Sequence, residues 1–317
     1  MNIGQKYSIV FSVYNEEESL PLVFEELIWL DKQKLSGEVL FVNDGSTDNS
    51  LAIINKFKAD RKLANFTIRY ISFSKNFGHE AAMLAGIDNA KGDVVICLDA
   101  DLQHPIRLIP EMVKQYSRGN DIVMMSRRKN KQNSLMLSLL IRFFYAFFNQ
   151  ISTVKIKRNV SDFFLISENI INLLRNNYRE RHRFVRGIIQ NIGFKKTVIE
   201  YDAPSRNAGQ TKYSFTKLLI HTLNAVVSFS KKPLVLGIYF GFAFALLAIV
   251  LAVYTLIVYL FGNTPPSGYT TIVLFISFSF SILFFLVGII GVYVGFVFDE
   301  LKKRPIYIIE ETDLELK

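Results

Sequence analysis

What the 317-residue chain lacks most clearly is charge over one long stretch. Residues 233–298 contain no Asp, Glu, Lys, Arg or His, although 21% of the whole chain is charged. A charge at mid-bilayer costs about 2.5–3.5 kcal/mol on insertion scales. A stretch free of charge is therefore what a membrane demands, and it argues against an ordinary soluble protein. Cysteine is nearly absent: Cys97 stands alone, so no intrachain disulfide can form. A signal-peptide pattern is missing too, because the first apolar run, residues 9–13, is short and has no small-residue cleavage site. The N-terminal part is expected to stay in the cytoplasm. Repeats and low-complexity tracts are absent. Half the residues are hydrophobic, which excludes a disordered chain.

The charge-free region divides into residues 234–261, a turn at 262–270 (GNTPPSGYT) and residues 271–298. Each arm makes a helix of about 42 Å, enough to cross a hydrocarbon core of about 30 Å with some tilt. Lys231 and Lys232 precede the first arm, Lys302, Lys303 and Arg304 follow the second, and the turn carries no charge. The positive-inside rule then puts both termini in the cytoplasm and the turn outside, in a multi-pass protein of the inner (cytoplasmic) membrane. Gly237 and Gly241, and Gly291 and Gly295, have the small-residue spacing that lets membrane helices approach, within one chain or in a homo-oligomer. Residues 135–151 and 214–232 are candidate interfacial amphipathic helices. In the second, Lys217, His221, Asn224 and Ser228 share one stripe, and Phe215, Leu219, Leu223 and Val226 lie opposite.

The first 125 residues alternate short apolar runs with segments of helical spacing. Residues 8–13, 39–42, 68–71, 94–98 and 122–125 read as strands; 20–30, 51–57 and 81–87 read as helices. That order predicts an α/β domain with a mostly parallel, Rossmann-like sheet. Ligands then bind beyond the carboxyl ends of the strands.

Those ends are where the chemistry gathers. Asp99-Ala100-Asp101, with Gln103, follows a fully apolar strand. Two carboxylates at that spacing suit one hard divalent cation, Mg²⁺ or Mn²⁺, whose shell substrate phosphates complete. The first strand ends in Tyr14-Asn15-Glu16 and the second in Asn43-Asp44-Gly45-Ser46-Thr47-Asp48. Asp44 and Asp48 suit hydrogen bonds to a base or ribose, and Thr47 or Asp48 also suits a cap for the next helix. Three acidic strand ends on one sheet edge would repel each other without a cation or ligand donors between them.

This combination resembles the family 2 glycosyltransferases of the GT-A fold. Further segments narrow the resemblance to the polyprenyl-phosphate glycosyltransferases, which include bactoprenol glucosyltransferases and dolichyl-phosphate mannose synthases. They are Asn76-Phe77-Gly78-His79-Glu80-Ala81-Ala82, Asp99 through Pro105, Glu180-Arg181-His182-Arg183-Phe184-Val185-Arg186-Gly187, and Arg206-Asn207-Ala208-Gly209-Gln210-Thr211-Lys212-Tyr213-Ser214-Phe215. The similarity covers essentially the whole chain. Departures are Ser12 where Pro is common, Asn43 where Asp is common, and Asp162-Phe163-Phe164 for the usual Asp-Phe-Arg.

The resemblance implies a GT-A domain over 1–213, an interfacial helix over 214–232, two transmembrane helices over 233–298 and a cytoplasmic tail over 299–317. It implies an inverting transfer of a sugar from a nucleoside diphosphate sugar, UDP-glucose foremost, to undecaprenyl or another polyprenyl phosphate, for cell-envelope glycan modification. Tyr14, Asn15, Glu16, Asp44, Asp99, Arg206 and Lys212 would bind the nucleotide sugar. Asp99, Asp101 and Gln103 would hold Mg²⁺ or Mn²⁺. Arg127, Arg128, Lys131 and Arg142 would grip the acceptor phosphate, and Asp162 stands at the position of the base. No nucleic-acid partner is expected. Other sugars (mannose, N-acetylhexosamine, modified arabinose) stay open, as does a non-catalytic scaffold, although the latter predicts a damaged metal site. A processive synthase would carry a Gln-x-x-Arg-Trp motif, and the only tryptophan here is Trp29.

Overall fold

The computed structural model describes residues 5–128, 159–181, 184–202, 204, 232–261 and 268–314. These fall into two compact units: the segments up to residue 204 together with residues 305–314, and the two long helices up to residue 304.

The first unit is built on an eight-stranded sheet. In chain order its strands are β1 (Tyr7–Val13), β2 (Gly37–Asn43), β3 (Phe66–Phe73), β4 (Val94–Asp99), β5 (Ile122–Arg127), β6 (Val160–Ser167), β7 (Lys196–Tyr201) and β8 (Ile309–Thr312). The spatial order is β7-β5-β6-β4-β1-β2-β3-β8. Pairs β1–β2, β1–β4, β2–β3 and β5–β7 are parallel, whereas β6 and β8 run against their neighbours. Helices α1 (Leu20–Asp31), α2 (Ser50–Ala59), α3 (His79–Asn89), α4 (Ile109–Ser117), α5 (Glu168–Asn176) and α6 (Val185–Asn191) join them. The sheet is therefore the mostly parallel α/β arrangement that the sequence predicts, and the five predicted strands are each longer than predicted, by one to four residues.

Every residue of β1 is buried, as expected of a central strand covered on both faces. Phe11 stacks on Phe41 at 5.2 Å, and Phe24 meets Phe41 edge-on at 5.8 Å. Burying each such ring contributes about 1.5–3 kcal/mol. This rigid centre fixes the strand ends where the loops of interest begin.

Sequence reasoning treats residues 299–317 as a tail. In the structure, residues 309–312 form β8, antiparallel to β3 at the sheet edge. Tyr307 stacks on Phe73 at 5.1 Å and donates to Asp88 at 3.0 Å. The Tyr70 amide donates to Asp313 at 2.9 Å, and Lys58 pairs with Asp313 at 2.6 Å.

The second unit contains α7 (Lys232–Phe261) and α8 (Tyr269–Leu301). Two stretches in them, Gly237–Val258 and Thr271–Leu301, are long and apolar enough to cross a membrane, and neither is buried inside the protein. A soluble core would cover them; here side chains such as Phe242 and Phe284 stay exposed. The helices meet through Phe244, whose ring lies 5.8 Å from that of Phe278. A Cβ on Gly237 would lie 3.2 Å from Leu286, whereas Gly241, Gly291 and Gly295 face open space. Of the two glycine pairs, only Gly237 serves packing between the helices.

Candidate active site

The register of two strands brings the central groups together. In the antiparallel pair β4–β6, Cys97 stands opposite Phe164. Past that pair, β4 ends in Asp99 and β6 carries Asp162, and one imidazole reaches both carboxylates. Like charges gathered in one place disfavour each other, so the region needs donors or cations. His79, the first residue of α3 and a cation when protonated, stands between the two carboxylates: Nδ1 lies 3.3 Å from Asp99 Oδ1 and Nε2 lies 3.8 Å from Asp162 Oδ2. Arg186 supplies a cation, with Nε 3.6 Å from Asp162 Oδ1. The Ser12 hydroxyl donates to Asp99 Oδ1 at 2.7 Å and lies 3.0 Å from His79 Nδ1. Burial opposes the charge on Asp99, but His79, His104 and Ser12 outweigh it and hold the carboxyl below its usual range. Burial likewise opposes the His79 cation, and Asp99 and Asp162 outweigh it, so that ring titrates above its ordinary value.

The loop after β4 carries the rest of the Asp99-Ala100-Asp101 motif. Leu102 takes a left-handed conformation, φ 62°, which is uncommon for a bulky residue and is characteristic of functional turns. Asp101 Oδ1 accepts the Gln103 amide at 3.0 Å. The buried His104 accepts the Asp99 amide on Nδ1 at 3.0 Å, and its Nε2 lies 3.3 Å from the Arg127 guanidinium. Burial is the chief cause that keeps the His104 ring neutral to lower pH than usual, and Arg127 adds to it. Among the described residues no three His, Cys, Asp or Glu side chains form a metal cage. The donors present, carboxylate oxygens on one loop with Asp101 and Asp99 both partly open, fit a hard cation whose remaining ligands come from substrate phosphates.

The neighbouring loops zip together beside it. Asn15, with φ 54°, accepts the Thr47 amide at 2.8 Å, and the Asn15 amide donates to Ser46 Oγ at 3.0 Å. The Glu16 amide donates to Ser50 Oγ at 2.9 Å, and Asp48 accepts the amides of Glu17 at 3.1 Å and Ser50 at 2.9 Å. Asp48 is thus the residue that satisfies the start of α2. Asn43 is buried, donates to Ser72 Oγ at 2.9 Å and accepts the Ser46 amide at 3.2 Å. Asp44 is buried and accepts the amides of Phe77 at 2.6 Å and Gly78 at 3.0 Å; burial raises its carboxyl above the ordinary range. Gly45 has φ 64°, and a Cβ there would lie 2.3 Å from the Lys75 backbone. The glycine is needed for this contact between loops.

The glycosyl transferase family 2 profile matches residues 8–174. The chain belongs to this family. CsbB of Bacillus subtilis (strain 168) is 37% identical over 315 residues, 98% of this chain and 93% of the relative. The prophage bactoprenol glucosyl transferase homolog of Escherichia coli (strain K12) is 34% identical, covering 96% of this chain and 98% of its own length. The SfII prophage-derived bactoprenol glucosyl transferase of Shigella flexneri is 34% identical, covering 97% and 98%. Among solved structures, glucosyl-3-phosphoglycerate synthase from Mycobacterium tuberculosis covers 71% of this chain and 78% of its own, with TM-score 0.47 and 14% identity.

In this family 2 glycosyltransferase, the structure brings Asp99, Asp101, Gln103, Asp162 and Arg127 to one region of the sheet edge. The Arg127 guanidinium also donates to the Tyr201 hydroxyl at 3.2 Å. Arg128 points to solvent, 3.3 Å from Asp202 and 3.7 Å from Glu200. Tyr14, Asn15, Glu16 and Asp44 belong to the adjoining loops, and Tyr14 is exposed. Lys131, Arg142, Arg206 and Lys212, and the segments 135–151 and 214–231, lie outside the described residues. Sequence reasoning assigns no role to Ser12, His79, Glu80, His104 or Arg186. All but Ser12 lie in motifs that carry the family resemblance, but nothing in their spacing shows that a strand at 160–167 would carry Asp162 to Asp99.

Proposed function

We propose that this glycosyltransferase moves a sugar, glucose foremost, from a nucleoside diphosphate sugar to undecaprenyl or a related polyprenyl phosphate at the cytoplasmic face of a membrane. One observation carries the proposal: a chain with two apolar helices of bilayer length aligns along nearly its full length with bactoprenol glucosyl transferases.

An oxygen of the acceptor phosphate attacks the anomeric carbon. The bond from that carbon to the donor diphosphate breaks, and its electron pair leaves on the nucleoside diphosphate, inverting the configuration. Asp101, with Asp99 and Gln103, would hold Mg²⁺ or Mn²⁺. When bound, such an ion acts as a Lewis acid that stabilises the departing diphosphate. Tyr14, Asn15, Glu16 and Asp44 would hold the nucleotide, while Arg206 and Lys212 would add positive charge to the diphosphate. Arg127, Arg128, Lys131 and Arg142 would grip the acceptor phosphate. A phosphate monoester, with a second pKa of about 6, is mostly a dianion at neutral pH. The nucleophile then carries little proton to remove, so Asp162 chiefly orients the acceptor.

The test uses membranes containing the full chain, undecaprenyl phosphate, Mn²⁺ and a panel of radiolabelled nucleotide sugars. A lipid-linked monosaccharide from UDP-glucose is expected. Product from a different donor would replace the sugar only; no product from any donor would overturn the assignment.

A further inference from the structure

The first turn of α3 reaches toward Asp162 by two routes. We propose that His79 and Glu80 are positioning residues that together fix the Asp162 carboxylate, His79 from the β4 side and Glu80 through the start of α6. The inference rests on the transferase proposal, in which Asp162 faces the acceptor.

His79 is steered at one ring nitrogen and free at the other. Gly78, with φ 98°, turns the chain into α3. Contacts of Nδ1 with Ser12 Oγ at 3.0 Å and Asp99 Oδ1 at 3.3 Å then set the ring. The ring keeps 38% of its side-chain surface, yet Nε2 is sealed from solvent, and so is Asp162 Oδ1. Neither atom has a hydrogen-bond partner. Nε2 stands 3.8 Å from Asp162 Oδ2, a small shift from hydrogen-bond distance. Such contacts commonly tighten only when substrates bind. The neutral ring protonated at Nε2 and the imidazolium both offer Asp162 an N–H.

Glu80 works in the opposite direction. Its Oε2 accepts the Val185 amide at 2.8 Å. That amide belongs to the first residue of α6, a donor with no partner inside its own helix. The next residue is Arg186. Its Nη1 donates to the Val160 carbonyl at 2.9 Å, its guanidinium lies 5.0 Å from the centre of the Phe184 ring, and its Nε faces Asp162 Oδ1 at 3.6 Å. Asp162 is therefore held between an imidazole and a guanidinium, and one helix turn governs both. Without them, repulsion from Asp99 would swing the carboxylate away from the acceptor. Burial, with the Asp162 charge, pushes the Glu80 carboxyl up to about 7, so a glutamine reproduces its protonated form and still accepts the Val185 amide.

The experiment measures steady-state transfer to undecaprenyl phosphate by the full chain in vesicles. The variants are His79→Ala, Glu80→Ala, Glu80→Gln, Asp162→Asn and the two double variants that add Asp162→Asn to either alanine. Failure of the wild type to form product overturns the transferase proposal itself. With an active wild type, each alanine variant is expected to lower kcat by about three- to tenfold, no more than Asp162→Asn does, while the donor KM stays within about threefold. Glu80→Gln should recover most of the rate. Each double variant should be no slower than Asp162→Asn alone, because residues acting through one group do not add. The inference is overturned by multiplying losses, by a raised donor KM with unchanged kcat, or by Glu80→Gln as slow as Glu80→Ala. Were Glu80→Ala not to fold, Glu80→Gln and the His79 cycle would decide the matter alone.

Discussion

The family resemblance implies a proline at position 12, and the hydroxyl of the Ser12 that stands there contacts both Asp99 and His79. A proline there would leave both without that contact. The departure is plain in the sequence, but its use is not, because it depends on which strand lies beside β1. Asp99, Asp101 and Gln103 are legible because their strand is uniformly apolar and the run ends abruptly in carboxylates. Asp162 is legible only through resemblance, since the segment around it has no alternation to mark a strand. Two expectations belong at this scale. Asp101→Asn should cost about 100-fold or more in kcat, as loss of a group serving the leaving diphosphate does. Asp162→Asn should cost about tenfold, below the usual 10²- to 10⁴-fold for a general base. Equal losses, with metal binding intact in Asp162→Asn, would make Asp162 a base after all. The second concerns pH. Glu80 binds its proton more tightly folded than unfolded, so stability present at pH 4–5 is lost as pH rises toward about 7. Glu80→Gln should therefore gain melting temperature relative to wild type as pH goes from 5 to 8. A gap that stays constant would remove Glu80 from this role.

Among the elements, β8 was the least expected. Residues 309–312 are too short and too acidic to read as a strand, and their partner β3 lies more than 230 positions earlier. Pairing there covers an otherwise open sheet edge, a site that invites association with other chains. It also brings Tyr307 onto Phe73, whose ring meets that of Phe77 edge-on at 5.7 Å. Phe77 in turn donates its amide to Asp44, so the final segment supports a loop of the proposed nucleotide site. The Tyr70 phenol, bonded to Glu311, is pushed up to about 12 by that contact and by burial. Tyr307→Ala should cost about 2 kcal/mol of stability through lost ring burial and stacking, read as a lower melting temperature. UDP affinity should fall with it. An unchanged melting curve would mean that the segment docks without contributing.

On the scale of the whole chain, the 66-residue gap in charge is the feature that sequence shows best, because hydropathy needs no tertiary information. Chain path adds to it. The polypeptide leaves the catalytic unit, makes α7 and α8, and returns to the same unit at residue 305. A pair of spans is the simplest path that returns a chain to the side it left. Cys97 is buried, so an added cysteine can be labelled against a quiet background. In sealed cells Ser267→Cys should react with an impermeant maleimide from outside, and Lys302→Cys should react only after lysis. The reverse pattern would invert the topology. The same path joins a family 2 domain to two helices long and apolar enough to cross a membrane, which is the reason to look for a lipid acceptor. The most direct measurement purifies the full chain into vesicles and follows label from UDP-[¹⁴C]glucose into the organic phase. Label should appear only when undecaprenyl phosphate is present, and should vanish in Asp101→Asn. Label that appears without the lipid, or that survives the Asp101 substitution undiminished, would contradict transfer to a polyprenyl phosphate at this sheet edge.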